Sequence, residues 1–490
     1  MPNPGGVPEE MPVSDCYRPE KALLALGDGF YDVVRPAEFP THILRWRNDR
    51  AAATIGLDTL TAEEWRDHFA EFRPLPDNLP EPLAMRYHGH QFRVYNPDLG
   101  DGRGFTFAQM RERGTGRLLE CGTKGSGQTP WSRQGDGRLT LKGGAREILA
   151  TEMLEALGVN TSKSLSLFET GEALYRGDEP SPTRSSVLVR LSHSHIRIGN
   201  FQRHAFNGDD KRILALLDYC IRFLIPELGD LPGHAQPVEF LRRVVHNVAR
   251  MGSQWMAAGF VHGVLNTDNI NVMGESFDYG PWRFLPTYEP GFTAAYFDQT
   301  GLYCFGRQLE ALHWNLTRLA ECLLLVAERE PIVAALNQYG EAVDRELRRA
   351  YLARLNLASR TETEDDDLLR SFHVFLHESR APYEQAFFDW YGGAARAQQA
   401  LAGPNGKHYK GAAFGAFRAH LDAYEPAAPE RLGHPYFQRE TPVTMLIDDV
   451  EAIWGPIAED DDWSLFRQKI RDIAEMRDAY GLSGEAQPAA

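Results

Sequence analysis

The chain has 490 residues, 43% hydrophobic and 24% charged, the balance of an ordinary globular protein with enough length for two or three lobes around a sizeable core. Its formal net charge of −16 argues against a nucleic-acid partner, which requires clustered Lys and Arg, and against an anionic membrane surface; a local basic cluster can still hold a small anion such as ATP. No apolar run reaches the length of a membrane span, the opening MPNPGGVPEEMPVSD lacks the basic and apolar regions of a signal peptide, and five scattered cysteines form no CxxC or Cys/His cluster, so the expectation is a cytoplasmic protein with reduced thiols.

Residues 1–15, rich in Pro, Gly and acid, read as a disordered tail. Residues 16–95 read as an N-terminal extension of short helical signals and Pro-containing loops, anchored by Trp46, Leu57 and Trp65. In Met85–Gly104, Gly100, Gly102 and Gly104 alternate around Asp101 and Arg103. That pattern lets a backbone approach a phosphate closely, and it equally suits a Gly-rich hairpin turn. Leu118–Thr123 reads as a strand ending in Lys124, followed by a flexible loop, Gly125–Gly137. A helix over Leu141–Leu157 carries Glu147 and stops at Gly158. Further strands are expected at Leu165–Phe168, Ala173–Arg176 and Val187–Leu191. Arg190 and Arg197, with His193 and His195 between them, read either as solvated surface or as a guanidinium clamp on phosphate oxygens.

From Lys211 the pattern becomes helical. Ile213–Leu224 and Val238–Met256 are predicted helices, the second with Leu241, Val244, Val248, Gly252 and Trp255 along one face. An irregular segment to Gly306 precedes helices over His313–Glu328, Pro331–Arg354, Asp366–Glu378 and Pro382–Trp390, with more to about Tyr480. The acidic runs Thr361–Asp367 and Glu459–Asp462 read as solvated loops, and the tail after Gly481 as frayed.

The segment Phe260–Gly280, FVHGVLNTDNINVMGESFDYG, reads as two polar loops joined by an apolar hairpin of Ile270, Val272, Met273 and Phe277. Such a hairpin brings together Asp268, Asn269 and Asp278, hard oxygen donors of the kind Mg²⁺ accepts beside waters and phosphates. The spacing resembles the catalytic core of the protein-kinase fold, in which a catalytic loop ending in Asn is followed by Asp-Phe-Gly. In that comparison the strand-end Lys124 and the helical Glu147 form the pair that sets the lysine against phosphate, and His262 fixes its loop through a backbone hydrogen bond. The kinase base, two residues after the His, is replaced here by Val264, which takes no proton; the nearest carboxylate is Asp268.

GDGR at Gly100–Arg103, TKGSGQTPWSRQGDGR at Thr123–Arg138, REILATE at Arg146–Glu152, HGVLNTDN at His262–Asn269 and DYGP at Asp278–Pro281 together resemble the selenoprotein O family of pseudokinase-fold protein adenylyltransferases. The likeness starts near Pro19 and is strongest from Gly89 to Asn315. Ser126, Gln128, Trp131 and Gln134 depart from the family's frequent KGAGRTPYSRGGDGR, and no Cys lies near the C-terminus, so the chain resembles a divergent bacterial member. The resemblance implies an α+β, protein-kinase-like two-lobed fold. A small β-rich N-lobe (96–205) and a larger helical C-lobe (206–480) would be flanked by N- and C-terminal helical extensions.

It also implies the chemistry. Gly100, Gly102, Arg103, Lys124, Asp136, Gly137, Arg190 and Arg197 would hold ATP, with Lys124 paired to Glu147. Asn269 and Asp278 would bind Mg²⁺ or Mn²⁺, and Asp268 would be the base. In the family ATP lies reversed, and AMP passes to Ser, Thr or Tyr hydroxyls of proteins as pyrophosphate leaves. The alternatives are a kinase-like phosphotransferase using Asp268 and a non-catalytic ATP-binding scaffold.

Overall fold

A computed structural model describes residues 13–177 and 179–483. Most of both predicted tails, 1–12 and 484–490, lies outside the described residues. Residues 13–15 depart from the expected disorder: Val13 packs against apolar core, and the Ser14 N–H and hydroxyl donate to the Gly56 carbonyl.

The organising element is a nine-stranded antiparallel sheet. Seven strands lie side by side in the order β2 (Tyr31–Val33), β4 (Leu83–Met85), β7 (Thr106–Arg111), β8 (Leu118–Lys124), β11 (Thr183–Ser192), β10 (Lys163–Leu174) and β3 (Ile43–Arg47); β1 (Pro19–Glu20) pairs with β7 and β9 (Leu139–Thr140) with β11. The stretch expected to be a helical N-terminal extension therefore supplies four strands of this sheet, β1 to β4. Its only α-helices are the short α1 (Asp49–Ala53) and α2 (Ala62–Phe69). A separate hairpin, β5 (Gly89–Gln91) and β6 (Val94–Asn96), follows.

Side-chain alternation along β11 sorts the sheet's two faces. Val187, Val189 and Leu191 join one core cluster with Trp65 and Phe69 of α2. Leu188 joins the main cluster on the other face, and Arg190 shares its side. Against that second face lies α3 (Leu141–Ala156), whose Thr140 hydroxyl accepts from Gly143 N–H as an N-cap. The main cluster then continues without a break into α4 (Ile198–Phe206), α5 (Asp210–Phe223), α6 (Gln236–Ala258), α7 (Gln308–Leu323), α8 (Arg329–Leu336) and α9 (Tyr339–Leu355). A third cluster gathers α9, α10 (Glu362–Ser379), α11 (Tyr383–Asp389), α12 (Ala397–Ala402) and α13 (Gly411–Leu421). The chain closes with α14 (Ile447–Asp460) and α15 (Ser464–Ala479) back against α3. Among the described residues no helix is long and apolar enough to cross a membrane.

Further sequence expectations need correction. The strands expected at Leu165–Phe168 and Ala173–Arg176 are one strand, β10, and Glu459–Asp462 is not a solvated loop: Glu459 and Asp460 end α14, and Asp461 pairs with Arg45 and Arg184. Pro331–Arg354 is two helices, because Tyr339 pins the start of α9 to α7: its hydroxyl donates to the Leu309 carbonyl at 2.9 Å and its ring stacks on His313. The acidic run at Thr361–Asp367 begins α10 instead of forming a loop. Thr361 and Glu364 form a capping box, and acids in a first turn suit the helix dipole. Finally, Phe260–Gly280 forms no hairpin of its own. Its strand β12 (Phe260–Val261) pairs beyond the segment with β13 (Arg283–Phe284).

The middle of that segment is bonded by outside elements. Ile198 N–H donates to the Ile270 carbonyl and Val272 N–H to the Ile196 carbonyl, while Ser276 exchanges backbone bonds with Asn160 and Ser162. The apolar residues that suggested a hairpin are buried between these two partners instead. Helix α6 delivers the chain into the segment through Gly259, at φ +64, where a β-carbon would overlap the Tyr383 ring.

Candidate active site

Strand β8 ends at Lys124, opposite Leu188 of β11. This places the lysine ammonium over the face that carries α3, and it meets the Glu147 carboxylate at 2.6 Å. Glu147 is fully buried and Lys124 nearly so. The same ammonium lies 3.1 Å from Asp278. Arg190 reaches Asp278 at 3.4 Å and Glu147 at 3.6 Å, and Arg197 stands 3.9 Å from the other Asp278 oxygen.

Three cations from the sheet and the turn after it thus converge on one carboxylate. Asp278 holds this place at φ +63, a left-handed conformation that Asp tolerates better than most residues. Burial alone would raise its pKa, but Lys124, Arg190, Arg197 and Arg103 outweigh that and hold it well below the usual carboxylate range.

Asp268 lies in a 3-10 turn, Thr267–Asn269. Its backbone carbonyl accepts from Arg197 at 3.0 Å, while its side-chain Oδ1 is buried without a hydrogen-bond partner among the described residues. Burial pushes this carboxyl up to about 6, against the pull of Arg197. The turn is braced from β5 and its loop: His90 N–H donates to Thr267 Oγ1 and Phe92 N–H to Asn266 Oδ1. His262 does what the sequence suggested, its Nε2 bonding the Phe277 carbonyl at 2.9 Å and tying the two loops together.

These groups line a cleft of about 650 Å³. Seven cations face it (Arg103, Lys124, Arg133, Arg138, Arg176, Arg190, Arg197) against four carboxylates (Asp101, Asp136, Asp268, Asp278), in a chain whose overall charge is −16. Five of the cations are in ion pairs. Arg103 and Arg133 form neither an ion pair nor a side-chain hydrogen bond among the described residues, and both are exposed. Surplus, partly desolvated positive charge of this kind is what a polyphosphate requires.

Of the residues singled out from sequence, Gly100, Gly102, Arg103, Lys124, Asp136, Gly137, Arg190, Arg197, Asp268 and Asp278 all line this cleft. Glu147 stands behind Lys124. Asn269 is not part of the lining; its amide donates to the Val264 carbonyl at 3.0 Å, leaving its Oδ1 free of hydrogen bonds among the described residues. The three glycines owe their spacing first to close packing. A β-carbon at Gly100 would overlap the Trp131 ring, at Gly102 it would meet the Trp131 carbonyl at 2.8 Å, and at Gly104 it would overlap the Thr123 carbonyl.

Several participants carry little or no local signal in the sequence. Asp101 orients Arg197 at 3.2 Å and accepts from Met85 N–H. Trp131 bonds Asp32 through its indole N–H, and Arg176 holds Asp136 at 2.8 Å. Asp101 sat between two noted glycines, and Trp131 stood out as a departure from the family motif; Arg176 had no local signal.

The donor set also fits a divalent cation completed by waters and phosphates. Asp278 and the unpartnered Asp268 Oδ1 are hard oxygens of the cleft lining, and Mg²⁺ usually takes only one or two protein carboxylates; Asn269 Oδ1 is a donor of the same kind outside that lining. Among the described residues no three His, Cys, Asp or Glu side chains cluster as an all-protein metal cage.

The family model described as "Protein adenylyltransferase SelO" matches residues 16–474. The chain belongs to the SelO family. Its curated relatives include the protein nucleotidyltransferases YdiU of Trichormus variabilis, 42% identical over 93% of this chain and 95% of that one, and of Gloeobacter violaceus, 43% identical over 95% and 96%. The YdiU of Vibrio cholerae is 36% identical over 76% of this chain and 74% of its own length. As a SelO protein the chain is a nucleotidyltransferase, an activity that takes ATP and protein substrates in this family.

Proposed function

We propose that this SelO protein transfers AMP from ATP to Ser, Thr or Tyr hydroxyls of proteins, in a kinase-like arrangement with the sheet-bearing residues 96–205 as one lobe and the helical residues 206–480 as the other. The observation that carries this reading is the convergence of Lys124, Arg190 and Arg197 on Asp278, beside a catalytic loop with Val264 in place of a base and a buried Asp268. The cytoplasm is the proposed setting.

In this reading the acceptor oxygen attacks the α-phosphorus while Asp268 takes its proton. The bond from the α-phosphorus to the bridging oxygen breaks, and the charge developing on the departing pyrophosphate falls to Lys124, Arg190 and Arg197. A carboxylate pushed up to about 6 is ionised at neutral pH yet basic enough to serve. Asn269 and Asp278 would hold Mg²⁺ or Mn²⁺, whose contribution is to offset phosphate charge. Glu147 keeps Lys124 directed into the cleft.

The test is incubation of the protein and an acceptor with ATP labelled on either the α- or the γ-phosphate. Label from the α-phosphate on protein supports AMP transfer. Label from the γ-phosphate alone would indicate a phosphotransferase, and tight ATP binding with neither label a scaffold.

A further inference from the structure

Glu147 can direct Lys124 only if α3 is held in place, and the C-terminal helices are built against the side of α3 that faces away from Glu147. At 3.6 residues per turn, Ala145 and Leu149 lie about 20° from the point opposite Glu147, and Lys142 and Glu152 about 40° from it. Those four positions all meet α14 or α15, joined at the flanks of that side by Arg146 and Glu155. Ala145 and Leu149 face Ile453 and Trp454 across a narrow gap. Lys142 pairs with Glu451 of α14 at 2.7 Å. Glu152 pairs with Arg477 of α15 at 2.9 Å, and Arg477 also reaches Glu155 at 3.1 Å.

The Arg477 contact is buried on both sides, with 6% exposure at Arg477 and 5% at Glu152. The helix pair is itself tied to the sheet by the turn between its members. Asp461 meets Arg184 of β11 at 2.6 Å and Arg45 of β3 at 2.9 Å, and Arg45 lies over the Trp463 ring. The C-terminal helices therefore grip α3 and the sheet edge together.

We infer that α14 and α15 are a built-in clamp that sets the Lys124–Glu147 pair, with Arg477 as its principal positioning residue. The inference rests on the reading of that pair given above. It makes the enzyme's competence depend on residues far along the chain that touch neither nucleotide nor acceptor, and it gives the C-terminal region a part in catalysis.

The experiment is a double-mutant cycle on the full chain, read as transfer from α-labelled ATP well below the melting temperature of every variant. Arg477→Ala is expected to lower kcat at least tenfold, and Arg477→Lys to recover most of the loss. In a Glu147→Gln background, where α3 no longer holds the lysine, adding Arg477→Ala should cost less than twofold more. Glu451→Lys, an exposed change that removes no core packing and opposes Lys142, should lower kcat two- to fivefold. Losses from Arg477→Ala and Glu147→Gln that multiply in full would overturn the clamp, as would unchanged kcat in both Arg477→Ala and Glu451→Lys. If Glu147→Gln alone leaves transfer intact, the reading of the ion pair fails and the clamp fails with it.

Discussion

Strand β11 carries an arginine toward each end, and the two keep different company. Arg184 and its neighbour Arg45 share Glu169 and Asp461 at 2.6–2.9 Å, two cations with two carboxylates. Arg190 joins Lys124 and Arg197 around Glu147, Asp278 and Asp101, three cations with three carboxylates, but Arg103 and Arg133, unpaired among the described residues, stand beside them and the set faces open volume, so that positive charge is in surplus. A balanced set closes on itself and acts as a latch between the sheet and the C-terminal turn. A surplus set that faces a cleft retains attraction for an anion. Residue type does not separate the two clusters; stoichiometry and what they face do.

The largest expected effect is at the centre of the surplus set. Asp278→Asn should reduce transfer to background in the labelled-ATP assay, because the carboxylate is both the proposed metal ligand and the only counter-charge shared by the three cations. It should also lower stability at neutral pH. The sign follows from the depressed pKa: an ionised Asp278 contributes stability above about 4, the unfolded value, and that contribution is lost as pH falls through the lower folded value. Thermal melts should therefore show the gap between wild type and Asp278→Asn closing below about pH 4. A gap that widens there would mean the three cations do not act on Asp278 as described.

Next comes Asp268→Asn, which preserves shape and removes the proposed base. Transfer should fall by about 10²–10⁴-fold while ATP binding, read by calorimetry, survives. In the wild type, kcat/KM should decline about tenfold per pH unit below about 6, where Asp268 becomes protonated. A flat profile down to pH 5 would remove Asp268 from the role of base.

Arg197→Ala should weaken ATP by roughly 10–100-fold, the worth of a charge-assisted hydrogen bond, and weaken AMP much less, since its proposed partners lie beyond the α-phosphate. Equal losses for the two nucleotides would place its contact elsewhere. The smallest effect belongs to the balanced set. Arg184→Ala should cost about 1 kcal/mol of stability and leave ATP affinity unchanged. A tenfold loss of ATP affinity there would erase the distinction between latch and anion site.

Much of the cleft was legible in the linear chain because its chemistry sits in short, polar, Gly-punctuated runs: GDGR, KGSGQTPWSRQGDGR, HGVLNTDN and DYGP each placed residues that line it. The helices α3, α5 and α6 were legible too, since their apolar periodicity agrees with the faces they bury. Other features depended on distant partners. The apolar residues of Phe260–Gly280 signalled burial correctly but not their partners, so an imagined hairpin stood in for the real bonds to Asn160–Ser162 and Ile196–Ile198. Strands β1 to β4 are two to five residues long, too short for a period of two to show, and are stabilised by sheet neighbours up to about 120 positions away.

The sequence by itself determined which residue types were available for the chemistry: a lysine at a strand end, a glutamate on the next helix, a polar loop with valine where a kinase has its base, and oxygen donors ten residues apart. Local spacing and side-chain chemistry suffice for that. Only the tertiary structure decided that Lys124, Arg190 and Arg197 share Asp278, that Asp268 is buried deeply enough to shift its pKa, and that Arg477 grips the helix presenting Glu147. Those facts follow from charges and apolar faces brought together across as many as 325 residues, a separation over which no periodicity in the chain carries a signal.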